Sequence, residues 1–268
     1  MRVACVQLCS GDQPATNLNT VGRLLAEAAA QGGQLALLPE NFAFMGGDGE
    51  AKRRFAAEAA DSVLPFLADQ ARRHGLYLVG GSLLLPGAGE KLRNCSMVFG
   101  PDGACLAGYD KIHLFDIDLP EERHRESDLV QPGQRPVCLD LLGWRLGLSI
   151  CYDLRFPELY RQYAAAGCRL LSVPSAFTVP TGAAHWEVLL RARAIENQAF
   201  VLAPAQGGVH PGGRRTYGHS LIVDPWGEVL ARGSAAAPQG ELLIADLDRE
   251  RLQQVRQRLP ALHHRVLP

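Results

Sequence analysis

A chain of 268 residues, 47% hydrophobic and 21% charged, carries enough apolar mass for one large core, which excludes a disordered tail. Its 27 basic and 28 acidic side chains give a formal net charge of -1. The totals therefore show no electrostatic footprint for nucleic acid or an anionic membrane, and they point to a small-molecule substrate.

The N-terminus, Met1 to Ser10, alternates as a strand. It lacks the charged region, apolar stretch and small-residue cleavage site of an export leader, so a cytoplasmic protein is expected. No apolar run reaches the roughly 20 residues of a membrane span; the best, Leu76 to Leu85, is cut by Gly80-Gly81 and stopped by Pro86. Without repeat, low-complexity tract or long linker, residues 1–268 read as a single domain.

In chain order, Arg2 to Cys9 reads as a strand, Leu18 to Ala30 as a helix capped by Asn17, and Gln34 to Leu38 as a short buried strand ending in Pro39-Glu40. A second helix over Arg53 to His74 precedes strand Leu76 to Leu85, and a hairpin joins Asn94–Phe99 to Cys105–Tyr109 through Gly100-Pro-Asp-Gly103. Asp110 to Gly133 has no sustained period, which in a domain this size marks a functional or disordered loop. Strands Val137–Leu141 and Trp144–Ile150 lead to Cys151, then helix Pro157–Ala166 and strand Arg169–Val173. Helix His185–Gln198, strand Phe200–Pro204, a hairpin of Ser220–Val223 with Val229–Arg232, strand Leu242–Asp246 and helix Arg249–Arg258 complete the chain. Alternating strands and helices interrupted by hairpins argue for α/β sheets with one face under helices and the other against a second sheet.

Seven cysteines, Cys5, Cys9, Cys95, Cys105, Cys138, Cys151 and Cys168, form an odd set with no CxxC pair. They fit neither a disulfide framework nor a zinc ribbon, so reduced thiols are expected. The histidines lack metal-ligand spacing, the paired glycines match neither GxGxxG nor the Walker pattern, and there is no GxSxG elbow. Neither metal nor cofactor is indicated.

Three positions invite chemistry. Cys151 follows an apolar strand directly and precedes a helix, where backbone N–H groups and the positive helix end favour thiolate and can cradle an oxyanion. Glu40 ends another apolar strand, where a carboxylate either reaches solvent or meets a partner in a cleft and can then act as a base. Lys111 is one of only three lysines, with Lys52 and Lys91, and its compact ammonium can reach a developing oxyanion. Taken alone, Cys151 reads more readily as a buried structural thiol, Glu40 as a solvated strand end and Lys111 as an exposed loop cation.

Together, Leu37-Leu-Pro-Glu-Asn41, Tyr109-Asp-Lys-Ile-His113 and Ser149-Ile-Cys-Tyr-Asp-Leu-Arg-Phe-Pro-Glu158 resemble, in order, the three signature segments of the nitrilase superfamily, the carbon-nitrogen hydrolases. The resemblance runs from Ala4-Cys-Val-Gln7 to Val223-Asp-Pro-Trp-Gly227. It implies a four-layer α-β-β-α sandwich of two packed mixed sheets, with Cys151 as nucleophile, Glu40 as general base and Lys111 as stabiliser of the tetrahedral intermediate. Glu126 is implied as a second glutamate near the lysine, with Glu121 and Glu122 in the same loop.

The run from Pro174-Ser-Ala-Phe177 to Leu190-Arg-Ala-Arg-Ala-Ile-Glu196 is similar to the branch that hydrolyses deaminated glutathione to 2-oxoglutarate and cysteinylglycine. Alternatives are an omega-amidase acting on 2-oxoglutaramate or 2-oxosuccinamate, an N-carbamoyl hydrolase or a nitrilase. A carboxylated linear amide would be read by the backbone N–H of Tyr152, by Arg155 as a carboxylate clamp, and by Thr178 and His185 lining the pocket. The segments Pro120–Glu126 and Val209–Arg215 are placed at its mouth. The family resemblance also implies a homodimer through Glu158 to Ala166, with Leu159, Tyr160 and Tyr163 in contact.

Overall fold

The computed structural model describes residues 1–119 and 122–267, with the backbone alone at Leu119 and Glu122. Its elements are β1 (Arg2–Gln7), α1 (Pro14–Ala30), β2 (Leu35–Leu37), α2 (Gly49–His74), β3 (Tyr77–Val79), β4 (Leu83–Pro86), β5 (Leu92–Phe99) and β6 (Cys105–Asp110). There follow β7 (Asp116–Leu119), β8 (Glu122–Arg125), β9 (Cys138–Leu141), β10 (Trp144–Leu148), α3 (Pro157–Ala165), β11 (Leu170–Ser172), α4 (Val179–Asn197) and β12 (Phe200–Ala203). The last are β13 (Gly207–Val209), β14 (Arg215–Tyr217), β15 (Leu221–Val223), β16 (Val229–Arg232), β17 (Glu241–Asp246) and α5 (Arg249–Arg258).

One sheet has the order β17-β1-β2-β3-β5-β4, with β6 paired to β5, and the other the order β16-β15-β12-β11-β10-β9. At the heart of each are three parallel strands, β1-β2-β3 and β10-β11-β12, flanked by antiparallel neighbours. The period-two alternation of a strand then sorts the side chains into layers. Val3 and Cys5 of β1 enter a core shared with Leu146, Leu170 and Val201 of the second sheet. Ala4 and Val6 instead cluster with Val21, Leu24 and Leu25 of α1 and Val63 and Leu67 of α2. On the far side, Trp186, Leu190 and Ala194 of α4 join the core of the second sheet. The outcome is an α-β-β-α sandwich, as the motifs implied, and each fully buried leucine in it contributes on the order of 1.5–3 kcal/mol of transfer free energy.

Several boundaries move. Helix α1 begins at Pro14, whose fixed φ suits a first helical position, and Asn17 is no cap. It lies inside the helix, buried, donating to the Gly11 and Ala43 carbonyls at 2.9 Å each. Helix α2 starts earlier than its apolar period because Asp48 accepts from the Ala51 N–H at 2.9 Å. Likewise α4 begins at Val179, six residues before His185, with a proline in its first turn. The apolar run Leu76–Leu85 is two strands, since Gly81 turns it with φ +54°. A Cβ there would lie 2.1 Å from the Pro39 carbonyl oxygen, so only glycine lets this turn pass beside the segment leading to Glu40.

The stretch from Asp110 to Gly133 contains the β7-β8 hairpin and a turn of 3-10 helix, Glu126–Asp128, and Val209 to Arg215 belongs to the β13-β14 hairpin. Both were invisible to periodicity because strands of three or four residues offer too few alternations. Leu159, Tyr160 and Tyr163 also correct an expectation: they are buried within their own chain, at 3%, 0% and 1% exposure, and cannot supply a subunit contact.

Candidate active site

The loops at the carboxyl ends of the parallel strands from both sheets meet at one hollow, the place where open parallel sheets present their functional groups. Glu40 stands three residues beyond β2, held by its backbone from two sides. Its carbonyl accepts from Gln206 Nε2 at 3.1 Å, and the Asn41 N–H donates to Ser82 Oγ at 3.3 Å. The side chain is 5% exposed and lines the cavity.

Cys151 follows β10 and takes φ +49°, the left-handed region that a residue with a Cβ enters at a cost. The surrounding structure enforces it: the Cys151 N–H donates to the Pro174 carbonyl at 2.9 Å and the Asp153 N–H to Ile150 at 3.1 Å. Between these two committed donors lies the Tyr152 N–H. The helical turn that follows spans only Cys151–Arg155. Burial pushes the Cys151 thiol well above its ordinary value, the neighbouring Glu40 carboxylate pushes it further, and the Lys111 ammonium opposes them. The sulfur therefore rests as a thiol: desolvation outweighs the thiolate-favouring influence of the short turn and the local N–H groups.

Lys111 directly follows β6, its N–H donating to the Asn94 carbonyl at 2.9 Å. Its Nζ lies 3.0 Å from Glu40 Oε1 and 2.8 Å from Glu126 Oε2, with the side chain 2% exposed. Burial opposes the charge, but Glu126 and then Glu40 outweigh it, holding the ammonium well above its ordinary value. Glu126 is fixed in turn by the Phe115 N–H at 2.7 Å. Of the other acids of that loop, Glu121 lies outside the described residues, as does the side chain of Glu122.

Asn94 was not foreseen. Its Nδ2 donates to Glu40 Oε1 at 3.0 Å and to Glu126 Oε1 at 3.2 Å, bridging the two carboxylates. The sequence signals it only weakly, since Asn94 is one of three polar residues, with Arg93 and Ser96, in the strand Leu92–Phe99.

A cavity of about 450 Å³ opens over Glu40, Lys111, Glu126 and Cys151 and is also lined by Tyr152 and Arg155. The guanidinium of Arg155 lies 5.6 Å from the ring centre of Tyr152 and 5.3 Å from that of Phe177. Thr178 and His185 do not line this cavity. Thr178 is buried behind it, its hydroxyl 3.0 Å from that of Thr181, which does reach the wall. His185 is exposed on α4 and faces Arg155 Nη1 at 3.2 Å, so it orients the arginine. Both segments expected at the mouth contribute to the wall, through His124, Arg125 and Glu126 and through Pro211, Gly212 and Arg214. Among the described residues no group of three or more His, Cys, Asp or Glu side chains is arranged to hold a metal ion.

Comparison with known proteins agrees with this architecture. The carbon-nitrogen hydrolase profile matches residues 2–257. The chain is 44% identical over 268 residues to a deaminated glutathione amidase of Synechocystis, covering 98% of this chain and 97% of the relative. It is 39% identical over 265 residues to the omega-amidase NIT2 of Danio rerio, covering 98% and 94%. It superposes on the crystal structure of the C. elegans NitFhit protein with a TM-score of 0.93 at 36% identity, covering 99% of this chain but only 65% of that one. The chain belongs to the carbon-nitrogen hydrolase family.

Proposed function

We propose that the protein, acting as one domain, is a thiol amidase that hydrolyses a linear, carboxylated amide, and that its substrate is deaminated glutathione, cleaved to 2-oxoglutarate and cysteinylglycine. The observation that carries this reading is the meeting of Glu40, Lys111 and Cys151, from three distant segments, in one buried hollow. A resting thiol needs a base at the moment of attack, and Glu40 is the carboxylate beside it. Two carboxylates around one ammonium leave a net negative charge, and a proton moving from sulfur to Glu40 shifts that charge onto the attacking sulfur and leaves Lys111 balanced by Glu126 alone.

Attack by sulfur on the amide carbonyl builds an oxyanion, which Lys111 and the Tyr152 N–H meet. Protonated Glu40 then donates to the departing amine, and cysteinylglycine leaves as Cys151 holds a thioester. Water deprotonated by Glu40 attacks the thioester, releasing 2-oxoglutarate and returning the proton to sulfur. Glu126 and Asn94 keep Lys111 and Glu40 aligned, and Arg155 clamps the carboxylate of the acyl part. Arg155 Nη1 meets His185 and no carboxylate within ion-pair distance among the described residues, which supports a role in binding an anion.

The omega-amidase reading is favoured by the similarity to NIT2. The two separate on matched substrates. Cysteinylglycine from deaminated glutathione, with a 2-oxoglutaryl adduct on Cys151 in quenched samples, is the expected result by mass spectrometry. Ammonia from 2-oxoglutaramate at much greater kcat/KM would reverse the assignment. We place the protein in a reducing cytoplasm as a homodimer; seven free cysteines, Cys105 and Cys138 among them exposed, support the former.

A further inference from the structure

The wall of the cavity carries a second pair of cations from segments unrelated to the three motifs: Lys52 in the first turn of α2, and Arg214 at the β13-β14 turn. Neither makes an ion pair with any described residue. Arg214 Nε is buried with no hydrogen-bond partner, and Nη2 has one long contact, 3.4 Å, to the Ala176 carbonyl. The acids near Lys52 are committed elsewhere. Asp48 Oδ1 caps α2 at the Ala51 N–H, and the oxygens of Glu126 accept from Lys111, Phe115 and Asn94. Burial, and then the like charge of Arg214, pull the Lys52 ammonium below its ordinary value against the weaker attraction of Glu126 and Asp48.

Two neighbouring cations with no ion-pair partner among the described residues, one with a buried unmatched N–H, are unfavourable in the empty protein, and a carboxylate lying between them relieves both penalties. Resting on the amidase reading, with Arg155 beside the nucleophile serving the acyl end, we infer that Lys52 and Arg214 form a second anion subsite that binds the carboxylate of the leaving group. The enzyme would thus recognise its amide at both ends and prefer a peptide-like leaving group with a free C-terminus to ammonia.

The test compares deaminated glutathione with its C-terminal amide in the wild type, Lys52→Gln and Arg214→Gln, after a melting curve shows that each variant is folded. In the wild type, amidation should lower kcat/KM about tenfold or more. Each variant should lose about as much on the free acid, mostly through KM, and little on the amide, so that discrimination collapses. Variants that keep the wild-type ratio, or lose equally on both substrates, overturn the subsite. Failure of the amidase reading looks different: the wild type then releases no 2-oxoglutarate from either compound. Calorimetric titration with cysteinylglycine and its amide judges the subsite without turnover. Binding weakened both by amidation and by Arg214→Gln supports it, and equal binding of the two ligands overturns it.

Discussion

The Tyr109 hydroxyl donates to Asp153 Oδ2 at 2.7 Å, tying the strand that leads into Lys111 to the turn that carries Cys151. The Asp153 carboxylate is fully buried and also accepts from the Ile150 N–H at 2.8 Å and the His113 N–H at 3.0 Å, with His113 Nδ1 at 2.7 Å. Two residues on either side of Lys111 and one beside Cys151 thus share a single acid, which sets the spacing between ammonium and sulfur.

Asp153→Asn should therefore lower kcat about 10-fold to 100-fold with KM little changed, because misplacement by about 1 Å can cost that much. Tyr109→Phe, which removes one of these bonds, should have a smaller effect in the same direction. Steady-state kinetics on folded protein check this; an unchanged kcat in Asp153→Asn would remove Asp153 from any positioning role.

Lys111→Ala should reduce kcat on the order of 100-fold to 1000-fold, as loss of an oxyanion donor does elsewhere. Lys111→Arg should not rescue it, since a planar guanidinium does not fit between two carboxylates set for a point charge. The alanine variant also leaves Glu40 and Glu126 without their cation, so its melting temperature should fall. Activity and calorimetry on the two variants decide the matter, and near-normal turnover by Lys111→Ala would contradict the assigned role.

Burial raises the thiols of Cys5, Cys95 and Cys151 above their ordinary values. In the unfolded chain they ionise near about 8.5, so above that pH unfolding releases protons that the folded state retains. Their contribution to stability is complete below about pH 8.5 and declines as pH rises toward the folded values. The melting temperature should fall steadily from pH 8 to pH 10, and a flat or rising profile would contradict these shifts.

Val188 and Ile195 lie seven residues apart on α4, 68% and 46% exposed, and so share a face, with Trp226 also 56% exposed. If a second copy covers this face, light scattering at micromolar concentration will give a dimer mass, and Val188→Asp with Ile195→Asp will shift it to the monomer. A monomer in the unsubstituted protein would overturn the homodimer.

The sequence alone determined what depends on near neighbours and order: neutral charge balance, strands alternating with helices, and three short segments whose residue types specify a carbon-nitrogen hydrolase. Glu40, Lys111, Cys151 and Glu126 were all legible there. Only the tertiary structure decided which other side chains serve them. Asn94 bridges two acids, Thr181 replaces Thr178 at the wall, His185 stands behind Arg155, and Arg214 reaches the cavity from a hairpin too short to show a period. It also decided that Cys151 rests protonated, because a thiol's charge state depends on the desolvation and charges that packing brings around it. The reason is one of range: propensity and alternation act over a few residues, whereas Lys111 and Glu40 are 71 positions apart and meet only when strands of the same sheet are paired and the second sheet closes over them.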